Sequence, residues 1–228
     1  DGEVVVDGRR LVDDLVRWQV PILELYLTAE AAAAPDAARW IAAAAAAWEL
    51  EAPVLAELAP TRSPQGVLVV AEEPRWPRWP ARAGVALWLE QVQDPGNLGA
   101  IVRSAAGLAA AAVLLSPGCA DPFAPAAVRG SAGAVFRLPL ERAVSAAAAA
   151  ERVREAGGEI WATGAGGRPL TGWRPAEPCL LLLGAEGAGL SADASDLADG
   201  GLTIPLERGV ESLNVAVAAG ILLQHLRR

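Results

Sequence analysis

The residue types best suited to chemistry in this 228-residue chain lie in three segments, each of which follows an apolar run. In the first segment, residues 89–103, the turn Asp94-Pro95-Gly96-Asn97 leads into a helical pattern. Asparagine is favoured at helix N-caps, so Asn97 is predicted to cap this helix. Arg103 follows about 120° further around the helix, among alanine, isoleucine and valine. Such neighbours favour a guanidinium that is paired or faces a ligand, with a surface arginine as the alternative.

The second segment, residues 181–190, joins a hydrophobic run to three glycines and one carboxylate, Glu186. Glycine has no Cβ, so such a loop can bring its backbone close to a ligand. The order G-x-x-G-x-G differs from the dinucleotide-binding G-x-G-x-x-G, and the glycines of residues 164–167 do not match that pattern either, because residue 169 is proline. The residues alone leave a binding loop and a tight turn as equal alternatives.

The third segment, residues 204–215, lies between a short apolar run and the last helical pattern. Ser212 is placed to cap that helix, which puts Asn214 in the first helical turn. A buried amide at that position needs hydrogen-bond partners. Helix capping alone is the alternative explanation for these two residues.

Alternating apolar runs and helical patterns must position the three segments. The predicted strands are Val85–Leu89, Ala111–Ser116, Val135–Leu138, Glu159–Ala162, Leu180–Leu183 and Leu202–Pro205. The predicted helices lie near residues 97–109, 123–131, 143–156 and 212–227. This alternation indicates an α/β fold with a mostly parallel sheet covered on both faces. Ligands bind beyond the carboxyl ends of the strands in such sheets, so the three segments are expected to meet there.

A smaller α/β unit is predicted before this sheet. Its elements are an amphipathic helix at residues 8–19, a strand at Glu24–Leu27, a helix over Pro35–Ala47, a further piece after Pro53 and a strand at Val67–Ala71. The next stretch is rich in proline, tryptophan and arginine and has no periodicity, which indicates a linker. The domains are therefore placed at residues 1–72 and 85–228, with a linker at 73–84.

Composition excludes several classes of protein. Hydrophobic residues make up 53% and charged residues 20% of the chain, which argues against disorder, and no apolar run approaches the roughly 18 residues of a membrane span. All 19 basic residues are arginine, so a P-loop and lysine Schiff-base chemistry are excluded. One histidine, His225, and two cysteines, Cys119 and Cys179, are too few for a zinc cluster, and no metal is expected. Both cysteines are expected to be reduced thiols in a cytoplasmic protein.

The net charge of −8 argues against a protein that holds nucleic acid through one large basic face. An anionic partner would instead meet local clusters of arginine. In the linker, Trp76 and Trp79 alternate with Arg75, Arg78 and Arg82. These tryptophans are interpreted mainly as packing residues, with contact to RNA as the alternative.

Taken together, the three segments resemble the three motifs of the SpoU (TrmH-like) RNA ribose 2′-O-methyltransferases of the SPOUT superfamily. The motifs are N-x-G-x-x-x-R at residues 97–103, G-x-E-G-x-G-L at 184–190, and I-P at 204–205 followed by E-S-L-N-V at 211–215. Their order and spacing fit, and the resemblance covers residues 85–228. Residues 1–72 resemble the ribosomal-protein-L30e-like substrate-binding domain that often precedes this catalytic domain.

The resemblance implies a C-terminal SPOUT domain with a deep trefoil knot whose loops hold S-adenosylmethionine (AdoMet). The residues that match cofactor-contacting positions, or line the same region, are Gly184, Glu186, Gly187, Ile204, Leu206, Ser212 and Leu213. It also implies a homodimer formed through the knotted domain, where alanines and Gly220 in the last helix would permit close packing.

The implied reaction transfers the AdoMet methyl group to a ribose 2′-hydroxyl of a structured RNA, either a tRNA or an rRNA. The pKa of arginine exceeds about 12, which makes Arg103 a poor general base, so it is expected to orient a target phosphate that relays the proton. The other catalytic residues implied, which would hold the ribose and the arginine, are Asn97, Glu186, Ser212 and Asn214. Ala216 stands where serine is common, which predicts a weaker polar network, and Leu206 replaces a frequent methionine at similar volume.

Two other functions are alternatives to RNA methyl transfer. A catalytically weak or inactive knotted RNA-binding or assembly module would fit the acidic charge and Ala216. Binding alone does not require all five of the implied catalytic residues, so their joint presence argues against such a module; they are Asn97, Arg103, Glu186, Ser212 and Asn214. A nucleotide-dependent dehydrogenase is disfavoured because its glycine fingerprint is missing.

Overall fold

The computed structural model of the chain describes residues 2–80, 84–185 and 187–226. These residues form two sheets with their helices. The N-terminal sheet is built from residues 3–72, and the C-terminal sheet from residues 85–203.

The N-terminal sheet has four strands, β1 (Glu3–Asp7), β2 (Ile22–Leu27), β3 (Ala44–Glu49) and β4 (Val67–Glu72). Its helices are α1 (Arg9–Arg17), α2 (Ala29–Ala32), α3 (Ala37–Ala43) and α4 (Ala52–Leu58). The strand order is β1-β4-β2-β3. Strand β4 runs antiparallel to β1 and β2, whereas β2 and β3 are parallel.

The alanine run in this unit corrects one prediction. The helix expected over Pro35–Ala47 ends at Ala43, and Ala44–Glu49 forms the edge strand β3. In this register Ala46 lies opposite Glu24 and Trp48 opposite Tyr26. The helix preference of alanine amounts to a few tenths of a kcal/mol per residue, so backbone hydrogen bonds along the open edge of β2 outweigh it.

The C-terminal sheet has six strands, β5 (Val85–Leu89), β6 (Ala112–Leu115), β7 (Leu140–Glu141), β8 (Glu159–Pro169), β9 (Cys179–Leu183) and β10 (Gly200–Thr203). Its helices are α5 (Pro95–Gly107), α6 (Pro125–Gly130), α7 (Ala146–Glu155), α8 (Ala192–Ser195) and α9 (Val215–Leu226). The strand order is β10-β8-β9-β5-β6-β7, and all neighbouring strands are parallel. The predicted α/β fold with a parallel sheet is confirmed.

Helices cover both faces of the C-terminal sheet because its strands are apolar on both sides. Leu87 and Leu89 of β5 belong to the core under α5, α6 and α9, whereas Ala86 and Trp88 belong to the core under α7 and α8. Alternate residues of one strand therefore anchor helices on opposite faces.

The strand predicted at Val135–Leu138 is wrong. Ala134–Phe136 forms a 3₁₀ turn, and the next strand is Leu140–Glu141. Gly133 enters this turn with a φ of 79°. Val135 and Phe136 are nevertheless buried, so their apolar character reports burial rather than strand geometry.

The two units pack against each other through aromatic and charged side chains. A Cβ at Gly133 would lie 3.0 Å from Cζ3 of Trp18, so glycine permits the close approach of this indole. The Arg137 guanidinium stacks 5.2 Å from the Trp18 ring centroid. In the linker, Trp79 is only 4% exposed, which agrees with a packing role for this tryptophan.

Cys119 and Cys179 are free thiols, as predicted. Cys179 is fully buried at the start of β9, and desolvation, reinforced by the negative charges of Glu159, Glu177 and Asp199, raises the pKa of its thiol. The described residues contain no group of three or more His, Cys, Asp or Glu side chains placed to hold a metal ion. No helix in the described part of the chain is long and apolar enough to span a bilayer.

Candidate active site

A cavity of about 790 Å³ lies beyond the carboxyl ends of β9 and β10 and beside residues 163–166 of β8. Ligands of parallel sheets bind at this edge. The cavity lining includes the described cofactor residues that the sequence predicted, namely Gly184, Gly187, Ile204, Leu206, Ser212 and Leu213. Glu186 lies outside the described residues. The second and third segments are thus brought together in space.

The loop after β9 is a tight turn that also lines the cavity. A Cβ at Gly184 would lie 2.0 Å from the carbonyl carbon of Gly189 and 2.3 Å from the backbone nitrogen of Leu190. Only glycine therefore lets the loop fold back on the end of β9. The Gly189 N–H donates to the carbonyl oxygen of Ala185 at 3.0 Å, and Gly187 has a φ of 83° that favours glycine. The tight turn is therefore confirmed, whereas ligand binding by this loop stays a prediction.

Part of the lining, residues 163–166, was not assigned from the sequence. Ala162 of β8 pairs with Gly201 of β10, and the next residue of β10, Leu202, pairs with Arg168. Residues 163–167 therefore form a bulge in β8 between these two pairs. The Thr163 hydroxyl donates to the carbonyl oxygen of Leu182 at 2.8 Å, which holds the start of this bulge. The glycines of residues 164–167 were the available signal, because glycine inside a strand pattern often marks a bulge.

Asn214, rather than Ser212, caps α9. The helix begins at Val215, and the Asn214 Oδ1 accepts the N–H groups of Ala216 at 3.0 Å and Val217 at 3.3 Å. The prediction for Ser212 is wrong because residues 204–214 stay irregular along the cavity, where Ser212 is exposed. Ala216 takes part in the cap through its backbone, which needs no hydroxyl.

Asp94, rather than Asn97, caps α5. The Asp94 Oδ1 accepts the Asn97 N–H at 2.7 Å, and Pro95 occupies the first turn, where its missing N–H costs nothing. Asn97 therefore lies inside the first turn of α5. Its side-chain Oδ1 accepts a hydrogen bond from Asn214 Nδ2 at 2.9 Å. This contact joins the first segment to the third.

Arg103 is exposed on α5 and is not part of the cavity lining. It has no hydrogen bond or ion pair with the residues that the structure describes. Its helix packs on α9, where a Cβ at Gly220 would lie 3.8 Å from the Ser104 hydroxyl, and α9 borders the cavity through Ala218 and Leu222. A guanidinium without an internal carboxylate can bind an external anion.

Glu211 is the one charged side chain among the described lining residues, and the rest of that lining consists of backbone and uncharged side chains. Glu211 begins the E-S-L-N-V motif, but it was not assigned to the site from the sequence. A single carboxylate in such surroundings suits a ligand with a positive charge.

A sequence profile of the SpoU rRNA Methylase family matches residues 84–224, which contain all three segments. The chain belongs to this family. The 23S rRNA (guanosine(2553)-2′-O)-methyltransferase RlmP of Bacillus subtilis is 30% identical to it over 98% of this chain and 88% of that protein. An uncharacterized tRNA/rRNA methyltransferase of Synechocystis sp. is 37% identical over 77% of this chain, although the match spans only 65% of that relative.

Solved structures of SpoU-type enzymes share this fold over nearly the whole chain. The SpoU methyltransferase AviRb of Streptomyces viridochromogenes, in complex with the cofactor AdoMet, is 29% identical, with a TM-score of 0.87 over 98% of this chain and 89% of its own. An AdoMet-bound rRNA methyltransferase of Sinorhizobium meliloti is also 29% identical, with a TM-score of 0.83 over 98% of this chain and 86% of its own.

Proposed function

We propose that this protein is an RNA 2′-O-methyltransferase, which transfers the methyl group of AdoMet to a ribose 2′-hydroxyl of a structured rRNA or tRNA. One observation carries the proposal. The second and third segments line one cavity, and the contact between Asn97 and Asn214 attaches the first segment to it. The match to RlmP, which covers 98% of this chain and 88% of that protein, supports the same reaction.

The cavity fits the proposed cofactor. Its volume of about 790 Å³ lies within the roughly 300–1,000 Å³ typical of small-molecule sites. AdoMet supplies an activated methyl group on a positively charged sulfonium. The described residues that would hold it are Gly184, Gly187, Ile204, Leu206, Ser212 and Leu213. Glu186 is assigned on the family motif alone, and Glu211 adds a negative charge to the lining.

The residues around the cavity would position the RNA. The 2′-hydroxyl must lose its proton as the new bond between oxygen and carbon forms, and a guanidinium is not suited to accept that proton. We assign Arg103 to the phosphate beside the target ribose, whose oxygen takes up the proton. The Asn97–Asn214 pair and Ser212 would hold the ribose, so that positioning supplies much of the rate.

The domain organisation forms part of the proposal. Residues 85–228 would form a knotted SPOUT domain, residues 1–72 an L30e-like RNA-binding domain, and residues 73–84 the linker. Support for the knot comes from the strand order, since β9 lies between β8 and β5 while β10 returns to the outer side of β8. Support for the two domains comes from their separate sheets.

We also propose that the enzyme acts as a cytoplasmic homodimer that associates through the C-terminal domain. Helix α9 leaves Val217 51% and Ile221 39% exposed, which gives a second subunit an apolar surface to cover. The two free thiols are compatible with a reducing compartment.

Incubation with methyl-labelled AdoMet and separate tRNA and rRNA fractions, followed by nucleoside analysis, tests the proposed function. We expect a labelled 2′-O-methylnucleoside in one fraction, and none with the Arg103→Ala variant. Absence of label from all RNA would contradict the proposal.

A further inference from the structure

A second cavity, of about 440 Å³, lies beside the carboxyl end of β7 and the first turn of α7. Linker residues Trp76 and Arg78 form one part of its wall, and residues 141–145 with Ala148 and Arg152 form the other. It shares no lining residue with the cavity at β8, β9 and β10. We call it the linker cavity.

Three arginines, Arg78, Arg142 and Arg152, line the linker cavity together with one carboxylate, Glu141. Both oxygens of Glu141 are engaged, one by Arg152 at 2.7 Å and the other by the Trp79 backbone N–H at 2.7 Å. This carboxylate is therefore neutralised within the wall and does not repel an anion.

The other two arginines of the cavity, Arg142 and Arg78, differ in whether a carboxylate pairs with them. Arg142 is fixed by Glu73 at 2.5 Å and Asp121 at 3.4 Å, yet its side chain stays 48% exposed. Arg78 is exposed and forms no ion pair within the described ranges. In a chain with a net charge of −8, such a local arginine cluster is where an anionic partner would bind.

The start of α7 and the Trp76 side chain also border the linker cavity. The Ser145 hydroxyl accepts only the Ala148 N–H at the start of the ten-residue helix α7, which leaves earlier N–H groups of the first turn for an anion. Trp76 lines the cavity and is half-buried, with its Nε1 turned into the protein. Phosphate oxygens suit the start of α7, and the indole of Trp76 suits the face of a base.

The linker cavity borders the carboxyl end of β7, and the proposed cofactor cavity follows the carboxyl ends of β9 and β10, so both lie toward the same edge of the parallel sheet. From β9 to β7 the sheet order has three strand spacings, a span of ~14 Å at ~4.8 Å each. A few nucleotides of one RNA strand can bridge this distance.

We infer that the linker cavity binds a phosphate and the neighbouring base of the RNA whose target ribose enters the proposed active site. The inference rests on the proposed function for the identity of that RNA. Arg78 binds the phosphate and Trp76 stacks on the base, while Arg142 and Arg152, each held by carboxylates, form the rest of the wall. The linker thereby becomes an RNA-binding element of the enzyme.

The test uses the full chain and a single-stranded oligouridylate of 12 nucleotides as the probe. Dissociation constants are measured by filter binding at several salt concentrations for the parent protein, Arg78→Gln and Arg75→Gln. Arg75 is the matched control, because it is an exposed arginine of the same linker outside the cavity wall. A 4-thiouridine version of the probe is then cross-linked and the modified peptide identified.

We expect Arg78→Gln to weaken binding about fivefold and to reduce the slope of log affinity against log salt by ~0.7, the value for one phosphate contact on a single strand. Arg75→Gln should stay within about twofold of the parent with an unchanged slope, and cross-links should fall on the peptide that contains Trp76. No binding by the parent, equal effects of the two variants, or cross-links confined to other peptides would overturn the inference.

Methyl transfer to rRNA and tRNA, measured in parallel, separates this inference from the proposed function. If the parent transfers no methyl group but Arg78 still determines probe binding, the proposed function fails and the linker site stands. If transfer occurs and Arg78→Gln behaves like Arg75→Gln, only the linker site fails.

Discussion

The Asn214 side-chain nitrogen donates to the Asn97 side-chain oxygen at 2.9 Å, although the two residues are 117 positions apart in the chain. The oxygen of the same Asn214 amide accepts two N–H groups at the start of α9. One side chain therefore both caps the last helix and attaches it to the first turn of α5, beside the cavity.

Substitution of Asn214 can separate the role of its amide oxygen, which caps α9, from the role of its amide nitrogen, which donates to Asn97. Asn214→Asp keeps an oxygen for the helix cap but loses the donor to Asn97, so we expect the free energy of unfolding to stay within about 0.5 kcal/mol of the parent. Asn214→Ala loses the cap as well and should be destabilised by about 1 kcal/mol. Both variants should lose about a hundredfold in kcat, because the ribose is no longer held in position. Urea unfolding and methyl transfer measure the two effects, and normal turnover of Asn214→Asp would contradict the assignment.

Arg103→Ala should abolish methyl transfer while leaving AdoMet affinity nearly unchanged, because Arg103 lies outside the cavity lining. The side chain is exposed, so the free energy of unfolding should change by less than about 0.5 kcal/mol. Calorimetric titration with AdoMet and labelled-methyl assays provide the comparison. Arg129→Ala, which removes an exposed arginine of α6, serves as the control and should retain kcat.

Gly184→Ala should destroy the AdoMet site by steric overlap. Its Cβ would meet the Gly189 carbonyl oxygen at 2.2 Å, which forces the loop after β9 away from the cavity and costs about 1–3 kcal/mol of stability. AdoMet affinity should fall more than about tenfold. Gly107→Ala is the matched control, since no atom lies within 4 Å of its added Cβ. Unimpaired AdoMet binding by Gly184→Ala would show that the loop can move without loss.

The raised pKa of Cys179 predicts a dependence of stability on pH. An unfolded thiol ionises near pH ~8.5, whereas burial keeps Cys179 protonated in the folded protein at that pH. The unfolded state therefore releases its proton first, so this contribution to stability is intact below about pH 8.5 and is lost as the pH rises above it. Between pH 7.5 and 9.5 the parent should lose about 1 kcal/mol more than Cys179→Ala. Urea unfolding at the two pH values measures the difference, and equal losses would exclude this linkage.

The buried strands of the C-terminal sheet were predictable because they are apolar on both faces. Val85–Leu89 coincides with β5, and Leu180–Leu183 differs from β9 by one residue. The prediction failed where the same residues suit two different secondary structures. Ala44–Ala47 suits a helix by propensity, yet it pairs with β2 because an open strand edge offers backbone partners.

The N-caps of α5 and α9, at the candidate site, were also ambiguous in the sequence. Asp94 and Asn97 both suit an N-cap, as do Ser212 and Asn214, and the choice depends on where each helix starts. Pro95 in the first turn was a local signal for Asp94. No local signal distinguished Asn214 from Ser212, because the path of residues 204–214 is determined by the cavity they surround.

The sequence by itself determined the parallel α/β architecture, the three chemical segments and the family to which they point, since these depend on residue types and short-range spacing. Only the tertiary structure decided that Asn214 reaches Asn97, that residues 163–166 complete the cavity, and that Trp76 and Arg78 line a second cavity with Arg142 and Arg152. Each of these features depends on contacts between distant parts of the chain, and residue types and short-range spacing do not show which distant residues come into contact.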